Sequence, residues 1–284
     1  MDQRIIDLYD DFTHGGMNRR SFLDRLAALA GSTAAASALL GVLQNNYAQA
    51  QTIAENDPRI TTQMVEIPGV PNLKGYLAKP KAGGKHPAVL VIHENRGLNP
   101  HIKDVTRRVA AEGFLALGLD YLSPMGGTPE DEDKGRDMIG QLKPADIVAY
   151  GKAAVAYLKA SPDGNGKVGA VGFCWGGGAV NGLAVADPDL AAGVAYYGGQ
   201  PKAEDVSKIH AALLLHYAGL DERINAGIPA YEAALKQAGK TFEIHKYEGV
   251  NHAFNNDTNP ARYDKAAADL ARSRTIAFLK KHLS

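Results

Sequence analysis

One cysteine and one tryptophan stand among 284 residues, and aromatic residues make up only 7% of the chain. A single cysteine excludes an intramolecular disulfide and leaves a redox protein without a resolving thiol. Neither sign of charge is in excess, since Lys+Arg and Asp+Glu both number 31. That balance gives no electrostatic footprint for nucleic acid and no acidic tail. The His and Asp residues lack metal-ligand spacing, so no metal is expected. Gly177-Gly178-Ala179 does not close in the Gly-Lys-Ser/Thr of a phosphate loop, and the glycine spacing of a dinucleotide fingerprint is absent. No cofactor is implied. The longest apolar stretch, Leu26 to Leu43, carries Ser, Thr and Gly and makes a poor membrane span. No internal repeat appears.

What the chain does have is 45% hydrophobic residues, enough for a full core, and one informative turn. Lys167-Val168-Gly169-Ala170-Val171-Gly172-Phe173-Cys174-Trp175-Gly176-Gly177-Gly178 reads as a buried strand, a sharp turn and a helix start. Cys174 sits at the turn with glycines two residues before and two after. This is the glycine-flanked nucleophile elbow, with sulfur in the usual place of a serine oxygen. A side chain at Gly172 or Gly176 would collide with the neighbouring strand or helix. The helix N-terminus favours a thiolate. The bland alternative for a lone cysteine in an apolar run is a small buried hydrophobe.

Around the elbow, strands and helices alternate. Thr62-Gln-Met-Val-Glu-Ile67 and Leu73-Lys-Gly-Tyr-Leu-Ala78 read as a hairpin turned by Gly69, Pro71 and Asn72. Pro87 to His93 and Phe114 to Leu119 are continuous apolar runs, as strands buried on both faces are. Ala191 to Tyr197, Ala211 to Tyr217 and Phe242 to Tyr247 read as further strands. Helices are expected from Asn99 or Pro100 to Glu112, Pro144 to Lys159, Ile228 to Ala238 and Pro260 to His282. Leu122 to Lys143 reads as loop and polar helix. Asp163-Gly-Asn165-Gly-Lys167 faintly matches a calcium loop, but Val168 and Cys174 occupy its required Gly and Glu positions, so it reads as a turn. The alternation predicts a mostly parallel sheet with helices on both faces.

Chemistry in such a sheet gathers at the carboxyl ends of the strands. Glu94, Cys174, Asp221 and His252 all lie there. The last three run in the order nucleophile, acid, histidine, which is the α/β-hydrolase order. A thiol needs a base for its proton, and the base needs an orienting carboxylate. Taken singly, Asp221 could cap a turn and His252 could be a loop histidine. His93 and His216 are weaker candidates for the base. The loop His93-Glu94-Asn95-Arg96-Gly97 follows the first long buried strand. With the residue after the nucleophile it supplies oxyanion N–H groups, here those of Asn95 and Trp175. Glu94 beside the thiol would disfavour the thiolate by like-charge repulsion and keep Cys174 neutral at rest. The alternative for Glu94 is an ion pair with Arg96 or Arg107.

From about residue 60 onward the chain resembles the dienelactone hydrolase family. His93-Glu94, Gly172-Phe173-Cys174-Trp175-Gly176-Gly177, Asp221 and His252-Ala253-Phe254 carry the resemblance. It implies hydrolysis of a lactone or ester through a thioester on Cys174, with Glu94 holding or receiving the thiol proton. It also implies a small-molecule substrate. The family prototype grips a substrate carboxylate with arginines where this chain has Tyr121-Leu122-Ser123 and Phe254-Asn255-Asn256. Tyr121 and Arg96, or Arg223, are the residues expected to line the substrate pocket in their stead. A broad carboxylesterase is the second reading, and a thiol-based redox or binding protein on the same fold the third.

Residues 1–50 differ from the rest. Asn18-Arg19-Arg20-Ser21-Phe22-Leu23 is a twin-arginine pattern, and Ala48-Gln49-Ala50 looks like a small-residue cleavage site. Export to the periplasm is one expectation. Against it stand Asp2, Asp7, Asp10, Asp11 and Asp24, and an apolar face at Ile5-Ile6 and Leu8-Tyr9. On the rival reading, residues 1–45 are retained helices packed on the domain and the protein is cytoplasmic. Residues 51–59 read as a linker and 60–284 as the α/β-hydrolase domain.

Overall fold

The computed structural model describes residues 1–49 and 51–284. Ala50, the last residue of the small-residue motif, lies outside them. In chain order the helices and strands are α1 (Gln3–Thr13), α2 (Arg19–Ala30), α3 (Thr33–Leu43), β1 (Ile60–Glu66), β2 (Lys74–Pro80), β3 (His86–Ile92), α4 (Pro100–Ala111), β4 (Leu115–Asp120), α5 (Glu132–Ile139), α6 (Pro144–Ala160), β5 (Gly164–Phe173), α7 (Trp175–Ala186), β6 (Leu190–Tyr196), β7 (Ala212–Ala218), α8 (Glu222–Asn225), α9 (Ile228–Gln237), β8 (Phe242–Tyr247) and α10 (Lys265–Leu283).

The eight strands form one sheet in the order β1-β2-β4-β3-β5-β6-β7-β8. The β1–β2 hairpin is antiparallel and β2 runs antiparallel to β4, while every other pair is parallel. Alternation along each strand sends side chains to opposite faces. On β3, Val89 and Val91 pack with Ile102 and Val105 of α4 and Phe278 and Leu279 of α10. Leu90 and Ile92 pack on the other face with Val155 and Leu158 of α6 and Leu183 of α7. Both faces are dry, which is why these strands read as unbroken apolar runs rather than alternating ones.

Two expectations shift. The last helix begins at Lys265, not Pro260, because Asp264 caps it by accepting from Ala267 N–H at 2.9 Å. The Asp163–Lys167 stretch is less a free turn than the irregular start of β5. Gly164 pairs with His86, and Gly166 has φ +87°.

Helices α1–α3 build a separate apolar cluster from Ile5, Tyr9, Phe12, Phe22, Leu26, Ala36 and Leu43, with Ala261 packed against it. Phe12 and Phe22 stack at 4.5 Å. The segment is tied to the remaining chain by polar contacts. Asn259 Nδ2 donates to Leu43 O at 2.6 Å, Asn46 N donates to Thr258 O at 2.7 Å, and Arg19 pairs with Asp133 at 2.7 Å. Among the described residues no single helix is long and apolar enough to cross a membrane. The pair α2 and α3 would suffice together but meets at a 111° bend.

Candidate active site

Strand β5 delivers Cys174 to the carboxyl edge of the sheet, and α7 begins at the next residue. Cys174 has φ 55° and ψ −116°, a conformation L-residues rarely adopt. Its N–H donates to Tyr196 O at 3.0 Å, which holds the turn against β6. The flanking glycines are required by contact with backbone. A Cβ on Gly176 would lie 2.5 Å from Ile92 O and closer still to His93 O; one on Gly172 would overlap Gly176 O. One on Gly177 would lie 2.6 Å from Tyr196 O. The elbow is therefore clamped between β3, β6 and its own helix.

Asp221 follows β7 and caps α8. One carboxylate oxygen accepts from Ile224 N–H at 3.1 Å, and the other accepts from His252 Nδ1 at 2.5 Å. The capping role and the orienting role thus belong to the same carboxylate. That bond places the proton on Nδ1 and leaves the lone pair on Nε2. Nε2 of His252 is buried and lacks a hydrogen-bond partner among the described residues, and a ring nitrogen of His252 lies within 4.8 Å of Cys174 Sγ. The competing histidines are occupied elsewhere. His216 is buried between Thr275 and Tyr247, and His93 contacts Glu94 O through Nδ1.

The residue that sequence reasoning missed is His14. It caps the C-terminus of α1, and its Nε2 lies 3.2 Å from Cys174 Sγ. Its Nδ1 contacts Asp10 O at 2.7 Å, with the Asp10 carboxylate at 3.5 Å. The ring meets His252 edge-on at 4.7 Å. Asn95 Nδ2 donates to Thr13 O at 2.7 Å, and Arg262 reaches Asp10 at 3.2 Å while lying over the Tyr9 ring at 5.1 Å. These contacts fix the end of α1 over Cys174. Nothing in the sequence joins position 14 to position 174; the only local hint is His14-Gly15-Gly16 closing an amphipathic helix.

Electrostatics follow from this packing. Burial pushes the Cys174 thiol up, but the charges of His14 and His252 and the hydrogen bond with His14 outweigh it, and the thiol is lowered to about 6. Burial pushes His252 down, but Asp10, the thiolate and Asp221 raise it to about 10. The direction is that of a thiolate–imidazolium pair. Asp221 is held below the usual carboxylate range despite its burial, chiefly by the hydrogen bond and charge of His252.

Glu94 is buried and close, but it is bound to neither arginine. Its Oε2 accepts from Asn256 Nδ2 at 2.9 Å, and its buried Oε1 faces a cleft of about 20 Å³ lined also by Cys174, His252 and Arg262. Arg96 instead donates to Glu132 O at 2.8 Å, and Arg107 pairs with Asp104 at 3.2 Å. The sulfur's bonded neighbour is His14.

A cavity of about 820 Å³ opens in front of the sulfur. Asn95 and Trp175 line it beside Cys174 and His252, and Ile139, Ile147 and Val148 make an apolar wall. Trp175 is the first residue of α7, so its N–H has no acceptor within the helix. Of the pocket residues expected from sequence, Arg223 lines this cavity, Arg96 lines only the small cleft beside the sulfur, and Tyr121 lines neither. Tyr121 is 1% exposed and packs edge-on beneath the Trp175 ring, and Arg96 is turned toward α5. The cationic lining comes from Arg223 and from Arg136, which sequence reasoning did not single out. Arg136 is already paired with Asp133 and Asp137. The absence of ligand spacing in the sequence also misleads: in space, donor atoms of His14, Cys174 and His252 lie within 4.8 Å of one another.

Residues 73–283 match the model of the dienelactone hydrolase family, and residues 1–31 match a YqhI-like model. A Synechocystis sp. protein named "Putative carboxymethylenebutenolidase" is 34% identical over 230 residues, covering 74% of this chain and 93% of its own. Protein usf of Aquifex pyrophilus is 36% identical over 236 residues, covering 78% of this chain and 99% of its own. The solved structure of a Klebsiella pneumoniae protein named "Putative Dienelactone Hydrolase" aligns with TM-score 0.71 at 29% identity, over 78% of this chain and 98% of that one. The Anabaena variabilis dienelactone hydrolase, 22% identical with TM-score 0.62, shares the fold. The chain is a hydrolase of the α/β-hydrolase fold and belongs to the dienelactone hydrolase family.

Proposed function

We propose that this hydrolase opens lactones or activated esters through a thioester on Cys174. The observation that carries this is the strained elbow of Cys174 facing the His252–Asp221 pair, at the mouth of a mostly apolar cavity. The thiol proton passes to His252 Nε2, and the thiolate adds to the substrate carbonyl carbon. The Asn95 and Trp175 N–H groups receive the developing oxyanion. His252 then returns its proton to the departing oxygen, leaving the acyl group on sulfur. Water, deprotonated by His252, adds to the thioester, and the thiolate leaves. With a lactone, the alcohol and acid end up in one product.

Glu94 shares the cleft and opposes the thiolate by repulsion, but the two histidines outweigh it, so the thiol is lowered rather than held neutral as its sequence position suggested. The thiolate is a good leaving group, so an unactivated alkoxide or amine loses the competition in the tetrahedral intermediate, whereas an enolate or phenolate departs. The breadth of the cavity supports a second reading, a carboxylesterase of wider range. The test is kcat/KM for an enol lactone, an aryl acetate, an alkyl ester and an anilide, with wild type and Cys174→Ala. Activated substrates should lead, and the alanine variant should lose nearly all turnover. Wild-type turnover by Cys174→Ala removes the mechanism.

We further propose that residues 1–49 are retained. Their buried cluster, their ties to Thr258 and Asn259 and the His14 contact support this over cleavage near Ala48-Gln49-Ala50. The intact mass of the protein purified from a host with a working twin-arginine pathway decides it: a mature chain beginning near Gln51 would restore the export reading.

A further inference from the structure

Three side chains that share no local motif present soft or borderline donor atoms to one point. His14 Nε2 lies 3.2 Å from Cys174 Sγ, and one donor atom each of His14, Cys174 and His252 lie within 4.8 Å of one another. A tetrahedral ion with ligand bonds of about 2.0–2.3 Å holds its donors roughly 3.3–3.7 Å apart. Closing from 4.8 Å to that spacing takes at most about 1.5 Å of movement, shared between the two rings.

The second layer of contacts is the more telling feature. Metal-bound imidazoles nearly always donate their other N–H to a carboxylate or carbonyl, which fixes the tautomer. Both rings here do so. His252 Nδ1 is held by the Asp221 carboxylate at 2.5 Å, and His14 Nδ1 by Asp10 O at 2.7 Å with the Asp10 carboxylate at 3.5 Å. Each ring consequently turns its Nε2 toward the sulfur, able to ligate once the proton shared with the thiol has left. A Cys–His hydrolase needs one such base, so the second ring is surplus to the triad. His252 Nε2 is unpartnered in a residue only 4% exposed. The remaining position opens into the large cavity, which all three residues line, so water or a substrate oxygen can complete four-coordination.

We propose that His14, Cys174 and His252 form a binding site for one thiophilic divalent cation of the zinc class. Binding displaces the proton that Cys174 and His252 share, releases it to solvent, forms a metal–sulfur bond and occupies both the nucleophile and its base. The hydrolase is thereby switched off until the ion is removed. Two imidazoles and a thiolate suit zinc, cobalt or copper and not magnesium or calcium, which take oxygen donors. The buried carboxylates of Asp221 and Glu94 and the half-buried one of Asp10 offset the cation's charge, with Arg262 opposing. One ligand arrives on α1, so the site exists only while the N-terminal segment is docked. Occupancy rests on geometry alone; the loss of activity rests also on the function proposed above.

The test uses the full chain, treated with chelator under reducing conditions and titrated with Co²⁺. One equivalent should produce a sulfur-to-cobalt charge-transfer band in the near ultraviolet, absent in Cys174→Ser and bleached by Zn²⁺. His14→Gln should weaken the affinity by about tenfold or more, since even outer partners of a ligand contribute 10–100-fold. Zn²⁺ should slow alkylation of Cys174 and inhibit ester turnover with one shared midpoint, and excess chelator should restore both. If His14→Gln does not fold, protection of His14 by Zn²⁺ from diethylpyrocarbonate, mapped by mass spectrometry on wild type, replaces it. No band and no protection at millimolar metal overturn the site. Equal affinity in His14→Gln and wild type overturns the role of the N-terminal ligand. A band in a protein without ester turnover leaves the site standing and removes the hydrolytic reading instead. Turnover that persists with the band saturated overturns the switch.

Discussion

Replacing Gly176 by alanine is the sharpest perturbation of the elbow. The added Cβ would stand 2.5 Å from Ile92 O and nearer still to His93 O, where contacts under 3.0 Å are essentially never found. Both obstacles are backbone, at the end of a strand paired on both sides by β4 and β5. They cannot rotate away as a side-chain tip would, so the first turn of α7 must move by roughly 1 Å, taking Cys174 and the Trp175 N–H with it. Forced overpacking of this kind costs about 1–3 kcal/mol. For a domain this size, 2 kcal/mol lowers Tm by about 4–8 °C. A misplacement of about 1 Å at the reacting atoms costs on the order of 100-fold in rate. Gly182, later in the same helix, is the control, because a Cβ there meets nothing within 4 Å. Gly182→Ala should gain up to about 1 kcal/mol of stability from helix propensity and melt no lower than wild type. Thermal melts and kcat/KM on an aryl acetate measure both variants. Wild-type Tm and turnover in Gly176→Ala would refute the claim that contact with β3 enforces the glycine.

Asp221→Asn removes the acceptor that keeps the proton on His252 Nδ1, so kcat should fall by about 10³–10⁴. Adding His252→Ala to it should cost little more, and additive losses would mean separate roles. Alkylation of Cys174 by iodoacetamide in chelator-treated protein should rise with pH through a midpoint of about 6 and level off well above it, because the thiol is lowered and its thiolate is half-formed at that pH. A profile still climbing through pH 8.5, the ordinary thiol range, would contradict the two-histidine environment. Leu26→Ala, at a site 0% exposed in the N-terminal cluster, should cost about 2–5 kcal/mol of that cluster's stability. Limited proteolysis should then cut within residues 1–49 far faster than in wild type, whereas equal rates would mean the cluster is not held by its core.

The sheet and the elbow were legible because each has a strong local cause. Strands buried on both faces read as apolar runs, and a turn trapped between backbones leaves glycines at fixed offsets. The acid and the histidine could be picked by their places after β7 and β8, where the sheet delivers them to one edge. His14 could not be picked, because its partner lies 160 residues away and the docking of α1 depends on contacts such as Asn95 to Thr13 and Arg262 to Asp10. The pocket failed for a related reason. Tyr121 and Arg96 have the right chemistry and chain position, but their directions are set by neighbours, the Trp175 ring and the backbone of α5. Glu94 shows both sides: its loop position is readable, its bond to Asn256 is not.

The central claim is that acyl transfer passes through the sulfur of Cys174. Rapid acid quench of the enzyme with an aryl acetate, followed by peptide mass spectrometry, tests it directly. The account predicts an acetyl group on the Cys174 peptide, formed within the burst phase, released by hydroxylamine at neutral pH, and absent in Cys174→Ala. Steady turnover with no acyl group on Cys174 at any quench time, and undiminished turnover in Cys174→Ala, would contradict it.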